Sequence, residues 1–155
     1  PQPDTSTIVL YRPVNPANPL GTDIVLIREF RTPVIYPTGY VWEVPGGSSF
    51  KPGKDPLIVA SEEVHEETGV EIEAGRFRAV QSRQLVATLS AHRAHLFTAQ
   101  ISPEEVDVFR AQKQPQGVVE DTERTYVEVV TLGEIMAQPH VDWSMLGMIT
   151  SALLS

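Results

Sequence analysis

The sequence predicts a mixed α/β domain. Three observations carry that expectation. Strand-like apolar runs recur along the whole chain, helical patterns are interleaved with them, and Pro, Gly and Asn gather in the joints. At 155 residues the chain is most simply one domain, expected to span residues 1–155 and long enough to bury a core.

The elements follow in order. "STIVLYR" and "TDIVLIREF" read as two strands joined by the proline-rich loop of residues 13–21. "YVWEV" is a third strand, stopped at Pro45-Gly46-Gly47, whose plainest reading is a turn. A helix is expected from Pro56 to Thr68, with Asp55 as N-cap, Pro56 in the first turn and Gly69 in the left-handed C-terminal position. Leu57, Ala60 and Val64 give it one apolar stripe. Residues 71–82 and 93–101 read as further strands, and Ser102, Pro103 and Glu105 open a short capped helix. Residues 124–130 alternate as a strand, and "TLGEIMAQ" and "DWSMLGMITSALLS" read as helices separated by Pro139.

Composition narrows the function. Apolar content of 41% and charged content of 21% are ordinary for a water-soluble globular protein. No run has membrane-spanning length and no signal pattern opens the chain, so no membrane partner and a cytoplasmic location are expected. Because the chain begins at Pro1 rather than Met, some upstream sequence is expected to be missing. The absence of cysteine excludes disulfides and thiolate metal sites. A net charge of −8 argues against nucleic acid as a partner, yet admits an anionic substrate if a divalent cation stands between them.

The stretch "EEVHEETGV", residues 62–70, places four glutamates in the last turns of the expected helix. Like charges at i,i+4 repel by roughly 0.2–0.5 kcal/mol per pair, and Glu62/Glu66 and Glu63/Glu67 both qualify. Carboxylates there also oppose the helix macrodipole. Glu63, Glu66 and Glu67 share a narrow arc beside the apolar stripe, where a hard cation such as Mg²⁺ would relieve their repulsion. A solvated acidic face is the plainer reading of the helix alone. Two glycines directly after a strand and ahead of this helix tilt the balance, since glycine lets backbone oxygens approach an ion closely.

Together these residues resemble the Nudix hydrolase family, whose signature is G-x5-E-x7-R-E-U-x-E-E-x-G-U with U aliphatic. Glu63-Val64-His65-Glu66-Glu67-Thr68-Gly69-Val70 matches its second half at every position. "IREFRTPV", "WEVPGG" and "VDWSMLGMITSALL" are similar to the ADP-ribose pyrophosphatase branch. The resemblance implies a Nudix-type α/β/α sandwich with a mixed sheet and a homodimer. It also implies Mg²⁺-dependent (or Mn²⁺-dependent) hydrolysis of a nucleoside diphosphate linked to another group, of the ADP-ribose or nucleotide-sugar type. Glu63, Glu67 and the Gly46 carbonyl become metal ligands, and Glu66 a ligand to another ion or a helper of the base. The base itself is expected among Glu120, Asp121 and Glu123. Arg28, Arg31 and Glu43 are the substrate-binding candidates, Tyr40 and Trp42 candidates for stacking a base, and His92 and His95 further possible contacts.

The first half of the signature departs from the family. Lys54 stands where a glutamate is expected and Glu62 where an arginine is expected, with one extra residue between Gly47 and Lys54. Both are charge reversals, so an inverted Lys54–Glu62 ion pair is expected in place of the family's pair. The same changes motivate a rival reading, a Nudix-fold module that binds a nucleotide and turns it over poorly.

Overall fold

In the computed structural model of the chain, residues 3–32, 35–48, 53–118 and 124–155 are described. Two strands, β1 (Thr5–Arg12) and β2 (Asp23–Phe30), form the centre. They pair antiparallel only through residues 10–12 and 23–25, then diverge. The chain segment that follows fills the gap between them. Its first part, β3 (Tyr40–Glu43), pairs with the second half of β2. Its second part, β4 (Gly46–Ser48), pairs with the first half of β1. Between the two, the Pro45 carbonyl accepts the Ile8 N–H at 3.0 Å. The expected turn at Pro45-Gly46-Gly47 is therefore a strand switch: Pro45 has no N–H for a ladder, and pairing resumes on a new neighbour after it.

β6 (Arg93–Gln100) lies parallel to β1, and β5 (Arg78–Gln84) pairs antiparallel with β6 through a bulge between Ala79 and Gln81. On the far side, β7 (Thr125–Thr131) covers the outer edge of β2 along its length. The result is one mixed seven-stranded sheet.

Alternation along the central strands sorts the core into two layers. Ile8, Leu10 and Val25 pack with Ala60 and Val64 of α1 (Pro56–Thr68) and with Val106 and Phe109 of α2 (Pro103–Arg110). Val9, Ile24 and Leu26 pack on the opposite face with Ile135 of α3 (Leu132–Ala137) and with Ile149 and Ala152 of α4 (Trp143–Leu153). This is the expected α/β/α sandwich. Burial on both faces also explains why β1 and β2 read as continuous apolar runs. Among the described residues, no helix is long and apolar enough to cross a membrane.

α1 forms as its sequence dictates. The Asp55 carboxylate accepts the Leu57 N–H at 2.9 Å, and Gly69 adopts φ 73° while its N–H closes on the His65 carbonyl. Val59 and Val64 are buried, each gaining roughly 1.5–3 kcal/mol. That exceeds the glutamate repulsion estimated above, so the helix stands without any help from a cation. One expected strand is shorter than predicted. Residues 71–77 are irregular, with a 3-10 turn at Ala74–Arg76, and strand pairing starts only at Arg78. Ile72 and Phe77 still reach the core from either side of that turn.

Ser102 and Glu105 make the expected capping box at the start of α2. The Arg76 guanidinium also forks onto Glu105 at 2.6 and 2.8 Å, which, with the Ser102 N–H, holds its carboxyl at about 2 instead of the ordinary 4.5. A lowered folded-state pKa stabilises the fold above pH 4.5, and the contribution is lost as pH falls towards 2. Both groups are partly in water, which keeps the effect modest. In urea unfolding from pH 6 to pH 2, the stability gap between wild type and Glu105→Gln should therefore close with acidity; a gap independent of pH would contradict this assignment.

Candidate functional site

The strand switch and the glutamate helix meet on the α1 side of the sheet. Glu67 is buried at 3% exposure, and its Oε2 accepts the Gly46 N–H at 2.9 Å. Burying a carboxylate without such a donor is costly, so this bond fixes the side chain against the start of β4. On the backbone side, the buried Thr125 hydroxyl of β7 donates to the Glu67 carbonyl at 2.7 Å. One turn earlier, Glu63 lies over Gly47. A Cβ built on Gly47 would sit 2.4 Å from the Glu63 carboxylate, and one on Gly46 would sit 2.5 Å from the Ser6 carbonyl. A side chain at Gly46 would collide with backbone, whereas one at Gly47 would meet only the movable end of Glu63.

The glutamates are graded rather than equivalent. Glu67 is buried, Glu63 half-buried and Glu66 exposed. Glu62 is exposed as well, and Lys54 Nζ lies 2.5 Å from its Oε2, so the expected Lys54–Glu62 pair does form. Among the described residues, no group of three or more acidic or histidine side chains is arranged to hold a metal ion. What the structure does bring together is a pair, Glu63 and Glu67, on two glycines. Hard oxygen donors in that number suit Mg²⁺, which takes one or two carboxylates and leaves its other positions to water and phosphate.

Arg31 follows β2 on the same side. Its Nε and Nη2 fork onto Glu43 at 3.1 and 3.0 Å, and Nη2 also lies 3.0 Å from Glu29. Glu43, then Glu29 and Glu67, hold the guanidinium charged, raising its pKa above the ordinary value. Arg31 and Glu43 line a cavity of about 340 Å³ with Tyr36, Val41 and Trp42. Two other cavities, of about 370 and 550 Å³, lie along α4; the 340 Å³ cavity reaches its N-cap, Asp142, and none of the three is lined by a glutamate of α1.

Several sequence candidates lie elsewhere. Arg28 is one residue out of phase with Glu29 and Arg31, so it sits on the α4 side. There it pairs with Glu128 at 3.1 Å and lies over the rings of Tyr40 and Tyr126. The structure does not bring it to the glutamates. Tyr40 already packs on Arg28, and Trp42 on the His140 ring. His95 bonds Ser82 at 2.6 Å and pairs with Asp4 at 3.3 Å, in the cross-strand row that runs through Ser6 to Gly47. The His92 carbonyl accepts the Leu85 N–H beyond that row. Glu120, Asp121 and Glu123 lie outside the described residues. Just before them, the Gly117 N–H donates to the Glu66 carbonyl at 2.9 Å, near the end of α1.

Glu29 and Thr125 belong to the site although nothing in the signature marks them. Strand alternation carries the signal for Glu29, since it puts residues 29 and 31 on one face and Arg28 on the other.

This α/β sandwich, with an acidic helix docked on a glycine strand switch, is the fold of Nudix domains. It superposes on the NUDIX domain of NrtR from Shewanella oneidensis in complex with ADP-ribose with a TM-score of 0.70. The identity is 16%, covering 99% of this chain and 88% of that one. The NrtR chain from the same organism gives 0.66 at 16% identity, over 97% of this chain. This chain spans 62% of that protein's length. A MutT/nudix family protein from Enterococcus faecalis gives 0.56 at 18% identity, over 84% of this chain and 44% of its own. Neither a family model nor a curated protein matches the sequence. Another solved NrtR structure, at TM-score 0.64 and 15% identity, holds a 27-mer DNA. The fold therefore lends no support to the expected exclusion of nucleic acid.

Two predictions test the geometry. Gly46→Ala meets backbone and should cost about 1–3 kcal/mol of stability, whereas Gly47→Ala meets only the end of a flexible side chain and should displace Glu63 while leaving the fold near wild type. Thermal melts and Mn²⁺ titration of both variants separate the two effects. For the ion pair, Lys54→Glu with Glu62→Lys should recover part of what either single change loses, with a coupling of about 0.2–1 kcal/mol. Strictly additive losses would show that the contact is energetically idle.

Proposed function

We propose that this chain is a divalent-cation-dependent hydrolase that cleaves the pyrophosphate of a nucleoside diphosphate joined to another group, of the ADP-ribose or nucleotide-sugar type. The observation that carries the reading is the docking of Glu63 and Glu67 on Gly47 and Gly46. Glu63, Glu67 and the Gly46 carbonyl would hold Mg²⁺ or Mn²⁺. When bound, the cation supplies positive charge to phosphate oxygens and lowers the pKa of water. The Gly46 N–H and the Thr125 hydroxyl keep Glu67 in place for that task. Arg31 presents a planar fork of the shape that phosphate oxygens accept. Glu66, exposed beside Glu67, is free to serve a second ion or to assist a base from the acidic segment holding Glu120, Asp121 and Glu123. Water adds to one phosphorus, the bridging P–O bond breaks, and two phosphorylated products leave. The same reading includes a homodimer, which sedimentation would test.

A second reading is favoured by the reversed Lys54 and Glu62 and by the likeness to NrtR. In it the domain binds the nucleotide without turning it over. Turnover separates the two. Mass spectrometry of products from a panel of diphosphate compounds with Mg²⁺ or Mn²⁺ should find paired phosphorylated products. Glu67→Gln should lower the rate by about 100-fold or more, the scale of losing one charge-stabilising group. Activity untouched by that change would sink the hydrolase reading, and tight binding with no products would favour the second.

A further inference from the structure

From the ion pairs on the α1 side we infer that Arg31 is an internal counter-cation, held by Glu43 until a phosphate takes it, and that this exchange couples nucleotide binding to divalent-cation binding. The inference deepens the proposed function and rests on its nucleotide-and-cation site.

A single guanidinium answers carboxylates from three elements. Glu43 of β3 takes both arms of its fork, Glu29 of β2 lies at 3.0 Å, and Glu67 of α1 adds its field. The three carboxylates outnumber it, so the cluster stays anionic with Arg31 in place. An incoming pyrophosphate then faces two obstacles. The cluster repels it, and its best partner is already engaged. Arg31 is 49% exposed and lines the 340 Å³ cavity, whereas Glu29 and Glu43 are only 11% and 19% exposed. The guanidinium is therefore the reachable member of the cluster and its partners are the sheltered ones. A phosphate presents the same two-oxygen edge as the Glu43 carboxylate, so the two compete for one fork. Arg31 cannot leave at low cost while the carboxylates lack another cation, because an abandoned half-buried carboxylate is penalised. A divalent cation at Glu67 lowers that penalty. Each ligand then tightens the other by the same factor, as linkage requires.

Glu43 thereby acquires a role other than contact with substrate: it sets the threshold for releasing Arg31. Arg28 provides an internal control, because its pair with Glu128 lies on the opposite face.

The test is calorimetric binding of the non-hydrolysable α,β-methylene analogue of ADP-ribose, with and without Mg²⁺. In wild type, Mg²⁺ should tighten the analogue by about tenfold or more, within the usual range of such couplings. Glu43→Gln should bind it more tightly without Mg²⁺ and reduce the Mg²⁺ effect to about threefold or less. Glu128→Gln should behave as wild type. Arg31→Lys, which keeps the charge and loses the fork, should bind weakly and lose the coupling, and it serves if Glu43→Gln does not fold. Equal coupling in wild type and Glu43→Gln, with nucleotide bound by both, would overturn the exchange and leave the proposed function standing. No binding by wild type under either condition would overturn both.

Discussion

The constraint on which the rest depends is the early parting of β1 and β2. They share three residue pairs and then separate, leaving a wedge that one continuous segment must fill from both sides. Only a backbone that changes partner midway can do so. Pro45 supplies the break, and Gly46 fits because its missing side chain leaves room for the Ser6 carbonyl. The switch exposes one amide to the helix side, and that amide receives Glu67. A packing necessity at the centre of the sheet and a carboxylate position at the site are thus one feature. Replacing Gly46 disturbs both, whereas replacing Gly47 moves chiefly the Glu63 carboxylate.

Electrostatics then arrange themselves around that fixed point. The helix holds its glutamates because apolar burial outweighs their repulsion, so their presence alone says little. Their grading says more. The one fully enclosed carboxylate has a directed donor, the half-buried one rests on a glycine, and the exposed ones face water or Lys54. A solvated acidic face would show no such order. Arg31, just after β2, completes the arrangement as the cation that Glu43 and Glu29 face.

Much of this was legible in the residues. The caps of α1 and α2, the apolar centres of β1 and β2 and both helices near the C-terminus follow from local chemistry that tertiary packing did not override. The acidic end of α1 was legible because its motif is local. What escaped depends on pairing between distant segments. β4 has no strand-like composition and exists because β1 offers it an edge. Thr125 matters only because β7 happens to end its register beside Glu67. Arg28 and Arg31 look alike as letters three apart, and the odd spacing that places them on opposite faces counts for nothing until the strand is built. Residues 71–77 looked extended because Ile72 and Phe77 are apolar, yet they are anchors on either side of a turn.

The Thr125–Glu67 contact has a consequence for how the molecule comes into being. β7 is made after its partner β2 and after the helix it steadies. Until β7 docks, β2 has an open edge and Glu67 lacks the hydroxyl that holds its carbonyl. A chain cut before Thr125 therefore carries the glutamates of α1 without the strand that encloses them. The pairing that completes the surroundings of Glu67 is thus a long-range one, which local helix formation cannot supply.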